Sequence, residues 1–371
     1  MMKVGILTFP NSVSYGATLQ MYALCRAVER LGHEAEAINY YNVFMKAELH
    51  CKSTAKSEKK YRCKRIIKSF LHRKLYRKFA AFEKDVINLF PKKSFTDKAL
   101  LPEIGTRYDA VICGSDQVWN PNITGGDLSY FLNFCGQTTR RVAYAPSFGV
   151  EILPEALKDQ AREELKLFSE ISVREVQGQA LVTDMIGREV PVVIDPTMLL
   201  EREEWEKIEV PYRKIKGDYI LYFTVKSSHR LFQKCRDFAK KNGLTMVVVG
   251  GNFLKKIKNN DPTVQYATCI SPAEWLWLIH HAKYVATNSF HGTAFSIIFE
   301  KDFYLELSAA TNSRLINIVR ILALENQILS EEADMIPTKA DYKMARENML
   351  RLQEDSLSYL KNALREDVNH G

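Results

Sequence analysis

His291 stands in the run Thr287-Asn288-Ser289-Phe290-His291-Gly292-Thr293, between an apolar segment ending near Ala286 and a second one from Thr293 to Phe299. The first reads as a buried strand and the second as a helix, so His291 falls at a strand-to-helix turn. In open parallel sheets ligands bind outside the carboxyl ends of strands, beside helix N-termini whose free N–H groups favour anions. Imidazole titrates near neutral pH, so a histidine there can move a proton next to a phosphate or carboxylate. The plainer alternative is a structural histidine. Its place between Ser289 and Gly292, at a helix start, favours chemistry.

Four more polar loops fall at expected strand ends. Pro10-Asn11-Ser12-Val13-Ser14-Tyr15-Gly16 opens a helix, and its small residues let a ligand approach the backbone. Asn11, Tyr15 and Gly16 are its binding candidates, and an N-capping loop built on Ser14 is the alternative. Gly114-Ser115-Asp116-Gln117-Val118-Trp119-Asn120 follows a strand directly. Asp116 there suits base work or a sugar hydroxyl, Trp119 offers a face for a sugar or for the core, and Gly114, Ser115 and Gln117 line the turn. Ser172-Val173-Arg174-Glu175 presents an arginine, whose planar fork of donors matches phosphate or carboxylate. An ion pair is the competing role for Arg174. In Asp195-Pro196-Thr197 the proline fixes a turn, and Asp195 binds a ligand or caps the next helix.

The elements that must position these loops alternate strand and helix. Lys3 to Thr8 reads as a strand, Gly16 to Leu31 as a helix ended by Gly32, and Ala35 to Tyr40 as a strand. After a basic helical insertion, strands are expected at 108–113, 141–145, 170–173 and 190–194, with helices at 154–168 and 176–186. A second series brings strands at 219–225, 245–249 and 284–287 and helices at 229–242, 272–281, 293–299 and 313–323. A polar stretch from Ala340 to Leu364 has helical spacing and is expected to pack back across the domains. The division this suggests is an N-terminal Rossmann-like domain over 1–200 with the insertion at about 45–95, a C-terminal one over 201–335, and a helical tail over 336–371.

A chain of 371 residues, 46% hydrophobic and 26% charged, fits two folded α/β domains and excludes a disordered or fibrous protein. The apolar run at the N-terminus is too short for a signal peptide, and no stretch is long enough to span a membrane, which points to the cytoplasm. Seven cysteines are scattered without CxxC spacing, so neither a zinc site nor a redox pair is read from them. Adjacent His280 and His281 lack the i, i+4 spacing of helical metal ligands. The net charge of +8 concentrates between Lys52 and Lys84, where aromatic and aliphatic residues interleave. That segment is a solvated basic face or a peripheral contact with an anionic membrane. No nucleic-acid motif accompanies it.

Taken in order, Gly5-Ile6-Leu7-Thr8 with Tyr15-Gly16-Ala17-Thr18-Leu19-Gln20, then Gly114 to Asn120, Ser172 to Glu175, Asp195 to Thr197 and Ser289 to Gly292 resemble the polysaccharide pyruvyl transferase family. The resemblance implies an α/β GT-B-like fold, two Rossmann-like domains whose parallel sheets face a cleft. It implies transfer of pyruvyl from phosphoenolpyruvate, as co-substrate and without a further cofactor, to a saccharide as a ketal. The acceptor would be a cell-surface glycan or its lipid-linked precursor. By the same resemblance Arg174 holds the phosphoenolpyruvate anion and His291 moves the proton. Where well-studied members carry Arg-Leu-His-Gly, this chain has Ser289-Phe290-His291-Gly292, and Arg314 is a candidate for the missing positive charge. A GT-B glycosyltransferase using a nucleotide-sugar and a non-catalytic saccharide- or anion-binding relative are the alternatives.

Overall fold

The computed structural model describes residues 1–45, 59–250, 261–307, 312–330, 332 and 334–365, without the side chains of 59–72 and 312–314. The chain divides into two compact units. The first is Met1–Lys56, Phe79–Leu200 and Arg351–Gly371, and the second is Ser57–Lys78 and Glu201–Leu350.

The first unit is a parallel sheet of β1 (Lys3–Leu7), β2 (Glu34–Tyr40), β3 (Leu89–Phe95), β4 (Ala110–Cys113), β5 (Arg140–Ala143) and β6 (Glu170–Ile171), in the order β3-β2-β1-β4-β5-β6. Its inner strands are nearly continuous apolar runs because both faces are covered by helices. Helix α1 (Tyr15–Arg30) begins where the Ser14 hydroxyl accepts from Ala17 N and ends at Leu31, after which Gly32 turns with φ +86°. The end of α2 (Lys59–Val86) from Phe79 on, α3 (Glu155–Leu165) and α4 (Val176–Ile186) follow, the part of α2 up to Lys78 belonging to the second unit.

The second unit repeats the plan with β7 (Tyr219–Phe223), β8 (Thr245–Val249), β9 (Val264–Ala267), β10 (Tyr284–Thr287) and β11 (Asp302–Leu305), in the order β11-β10-β7-β8-β9. Its helices are α5 (Arg202–Ile208), α6 (His229–Lys241), α7 (Pro272–His280), α8 (Phe290–Ile298) and α9 (Asn312–Ile321). α7 opens with a capping box in which Ser271 and Glu274 each hold the other's backbone N–H. Both units are Rossmann-like, and the fold is GT-B-like α/β, as the strand–helix alternation leads one to expect. The C-terminal helix α10 (Tyr342–Ala363) bonds to both units: Tyr342 Oη reaches Lys301 O at 2.5 Å, while Tyr359 Oη reaches Ala143 O at 2.9 Å. No described helix is long and apolar enough to cross a membrane.

The strands β9 and β11 are not among those expected from the sequence, and three further details differ. Leu89–Phe95, counted with the helical insertion, is the edge strand β3, paired in parallel with β2 despite its lysines, since only one side of an edge strand needs a partner. The segment 190–194 makes only an isolated bridge, Val173 to Val192. The end of α2 is core: Phe79, Phe82 and Glu83 are buried, and Phe79 lies against Tyr15 with ring centroids 5.0 Å apart. Lys52 and Lys56, at the head of the basic segment, lie outside the described residues.

Glu83, fully buried, accepts from Asn11 N at 3.0 Å and Thr18 Oγ1 at 3.1 Å. Burial pushes its carboxyl up from 4.5 to about 7, against the pull of those two donors. A folded-state pKa above the unfolded one means the native state holds the proton more tightly, so stability falls as pH rises from 4.5 to about 7 and levels off above. In Glu83→Gln the amide oxygen can accept from Asn11 and the NH₂ can donate to Thr18 Oγ1, with no proton to lose. Urea denaturation from pH 5 to 8 should show the variant gaining roughly 2–3 kcal/mol on the parent across that window. A parallel pH dependence of the two proteins would refute this.

Candidate functional site

In the first unit the chain order reverses at β1 and β4, and a ligand crevice forms outside the carboxyl ends at such a switch point. Three consecutive strand ends there carry non-glycine residues in the left-handed region: Asn11 after β1 (φ +58°), Asp116 after β4 (+74°) and Ala145 after β5 (+54°). Each such residue costs about 1 kcal/mol or more and persists only where its surroundings demand it. For Asn11 the demand is visible. Glu83 takes its backbone N–H, and its Nδ2 donates to Asn39 Oδ1 at 2.7 Å.

Four of the sequence candidates gather into one buried cluster. Arg174 Nη1 donates to Asp195 Oδ2 at 2.9 Å, Arg174 Nη2 lies 3.8 Å from Asp116 Oδ1, and its Nε lies 3.7 Å from Glu175 Oε2. Ser115 Oγ donates to the same Asp195 oxygen at 2.9 Å, and Asp195 Oδ1 accepts from Thr197 N and Oγ1. Ser147 Oγ donates to Glu175 Oε1 at 2.6 Å. Burial acts to lower the guanidinium's pKa, but the charges of Asp195, Asp116 and Glu175 outweigh it and raise it.

Arg174 is held in the ion-pair arrangement. Its side chain is 2% exposed and faces three carboxylates, the role that competed with anion binding in the sequence. Asp195 is its buried counter-ion as well as a cap. Asp116, half-buried, is the member nearest solvent, its Oδ1 accepting from Gln117 N at 2.9 Å. Gln117 in turn takes Asn120 Nδ2 on its own amide oxygen at 2.6 Å.

Other candidates turn out to serve packing. Trp119 is 1% exposed, stacked on Phe131 with centroids 5.1 Å apart and donating Nε1 to Tyr130 O, so no sugar can lie on it. A Cβ at Gly114 would sit 3.3 Å from Leu24 and Thr8, which makes this glycine a close-approach residue between α1 and the sheet. Gly16 is buried in the first turn of α1, and Tyr15, half-buried at its start, packs on Phe79.

His291 belongs to the second unit, whose switch point lies between β7 and β10. It stands in the first turn of α8, since that helix starts at Phe290, three residues earlier than expected. The reason is Ser289, which acts as N-cap: its Oγ accepts from Gly292 N at 3.3 Å while Thr293 N and Oγ1 bond to its carbonyl. Ser289 is therefore a structural cap with a buried side chain. Gly292 is the complement. A Cβ there would fall 2.3 Å from Thr287 Oγ1 and 3.1 Å from Phe223 Cδ1, so only glycine lets the helix start seat on the strand ends. Together they hold half-buried His291 beside the ends of β7 and β10. The side chain of Arg314 lies outside the described residues.

Two features escaped the sequence reading. Asn288, buried, donates Nδ2 to Lys226 O at 2.9 Å and accepts from Val225 N at 3.0 Å, joining the β7 and β10 loops. Glu83 was hidden in a charge-rich helix whose periodicity does not reveal which turn is buried. Among the described residues Glu209, His280 and His281 form a carboxylate–imidazole group that could hold a metal. Its members are bonded to their neighbours here. Arg202 only donates, so His280 Nε2 must accept from it at 2.8 Å and Nδ1–H must donate to Glu209 at 2.9 Å. Burial, opposed by Glu209, holds the His280 pKa low and keeps that neutral form. His281 Nδ1 bonds to Trp277 O at 3.0 Å, so the group closes the end of α7.

Residues 15–305 match the model of the family described as polysaccharide pyruvyl transferase, and the chain belongs to that family. A search of curated proteins finds no match. Among solved structures the chain is similar to a putative UDP-N-acetylglucosamine 2-epimerase from Listeria monocytogenes, at 9% identity and TM-score 0.52 over 99% of this chain and 91% of that one. It is also similar to UDP-GlcNAc 2-epimerase from Neisseria meningitidis bound to UDP-GlcNAc, at 11% identity and TM-score 0.50 over 99% and 95%. At these identities the likeness shows the fold alone.

Removing Asp195 would leave Arg174 buried without its closest counter-charge. Asp195→Ala should lose about 3–5 kcal/mol in urea denaturation, and adding Arg174→Met should restore part of that loss. Strictly additive losses would contradict the coupling. Trp119→Ala should cost about 3–5 kcal/mol of stability by the same measurement. A variant as stable as the parent would return Trp119 to the list of sugar platforms.

Proposed function

We propose that this member of the polysaccharide pyruvyl transferase family moves a pyruvyl group from phosphoenolpyruvate to two hydroxyls of a saccharide, forming a cyclic ketal. The observation that carries the reading is His291, held at the switch point of the second unit by a capped helix start and a glycine that admits no Cβ. A half-buried imidazole on a helix N-terminus meets both needs of the reaction, a proton to deliver and an anion to hold.

The steps balance. One saccharide hydroxyl adds to C2 of phosphoenolpyruvate, the C2=C3 electron pair takes a proton at C3 to make a methyl group, and the proton released by that hydroxyl replaces the one delivered to C3. His291 supplies or relays that proton. The C2–O bond to phosphate then breaks, the second hydroxyl closes the ring, and its proton leaves with inorganic phosphate. The positive end of the α8 dipole stabilises the negative charge that develops on the leaving group. In the first unit Asp116 offers a carboxylate to a saccharide hydroxyl at that unit's own strand ends. The Arg174–Asp195 pair holds the loop that carries it.

The setting we propose is the cytoplasmic face of the membrane, in the biosynthesis of a cell-surface polysaccharide, with a lipid-linked acceptor. The basic residues of the segment 52–84, ahead of its buried end at Phe79 to Glu83, would meet the anionic headgroups.

Phosphate release from phosphoenolpyruvate, measured with a panel of lipid-linked and nucleotide-linked saccharides, tests the reading. His291→Gln should lower kcat by about 10²–10⁴-fold, with a melting temperature like the parent's. Near-parental turnover would remove His291 from the chemistry. Selective thermal stabilisation by a nucleotide-sugar, with none by phosphoenolpyruvate, would point to glycosyl transfer instead.

A further inference from the structure

At the position where the family's well-studied members carry an arginine, this chain has Ser289, and that hydroxyl is spent on Gly292 N as the cap of α8. The donor would bring phosphate and carboxylate, so the charge has to come from elsewhere in the unit. The sheet register narrows the search. β10 and β7 are adjacent and parallel, with Thr287 opposite Phe223, so the residues following each strand run on side by side. Neighbouring strands are about 4.8 Å apart, which puts the backbone of 224–226 level with that of 288–290.

The two loops are also tied. Asn288 clasps the β7 loop from both sides, accepting from Val225 N at 3.0 Å and donating to Lys226 O at 2.9 Å. One step further along, Glu306 at the end of β11 accepts from Ser228 Oγ at 2.8 Å and Arg230 Nε at 3.0 Å. The loop is thus fixed at both ends to the strand ends beside it, and its two cations have different fates. Arg230 is committed to buried Glu306. Lys226 is exposed and makes no ion pair among the described residues, with its carbonyl held by the residue three before His291.

We propose that Lys226 is the cation that receives an anionic group of the donor beside His291, and that Asn288 is the positioning residue that keeps it there. This inference rests on the proposed use of phosphoenolpyruvate. An ammonium on a flexible stem suits the place, because as a point charge it can meet phosphate or carboxylate without the fixed fork of arginine.

Calorimetric titration of the full-length protein with phosphoenolpyruvate, and separately with inorganic phosphate, tests it. Lys226→Met should weaken phosphoenolpyruvate binding by about 10–50-fold with an unchanged melting temperature, and Lys226→Arg should bind within about threefold of the parent. A parallel loss for inorganic phosphate assigns Lys226 to the phosphate, and a loss confined to phosphoenolpyruvate assigns it to the carboxylate. Asn288→Ala should weaken binding in the parent background but add little to Lys226→Met, which a purely structural asparagine would not do. Parental affinity in Lys226→Met overturns the proposal and leaves the donor reading standing. A parent that binds no phosphoenolpyruvate overturns both.

Discussion

Parallel strands must all begin at the same edge of their sheet, so every return of the chain is a crossover and every carboxyl end opens on one side. The remaining features of the molecule depend on that constraint. It lays Asn11, Asp116 and Ala145 along adjacent strand ends in the first unit, and the β7 and β10 loops along adjacent ends in the second. In each unit the order reverses at the first strand, which leaves a crevice where two loops diverge and a ligand can reach backbone donors.

Gathering polar loops at one edge creates a charge problem, and the two units answer it differently. In the first, one arginine is buried among three carboxylates, with Ser115, Thr197 and Ser147 supplying hydrogen bonds to them. Burying one cation with several anions is tolerable only if hydrogen bonds satisfy them, and the cost of breaking the set gives it rigidity. In the second unit an Arg230–Glu306 ion pair fixes the far end of the β7 loop, and the group joining it to the β10 loop is neutral. Asn288 bridges two loops by its amide, leaving the nearby lysine uncommitted. A rigid ionic cluster suits a scaffold, whereas an uncommitted cation suits a ligand.

The seating of His291 shows how small residues set chemistry. Ser289 starts α8 early enough to bring the imidazole into the first turn, and the missing side chain of Gly292 lets that turn rest on Thr287 and Phe223. Each is a local choice with a local reason. Their joint result is a histidine fixed at a helix N-terminus, inside the reach of the helix dipole.

The sequence by itself determined the strand–helix alternation, the parallel sheets and the strand-end loops, because hydrophobic period, caps and glycines are local signals that the backbone must obey. It also carried the family through the order of those loops. Only the tertiary structure decided what each side chain in them does. Arg174 became a buried ion-pair partner, Trp119 core, and Ser289 a cap, while Glu83 and Asn288 gained partners many residues away. The physical reason is that burial and partnership are long-range. The same arginine is a ligand fork in water and a structural counter-ion among carboxylates, and nothing in its immediate neighbours along the chain distinguishes the two.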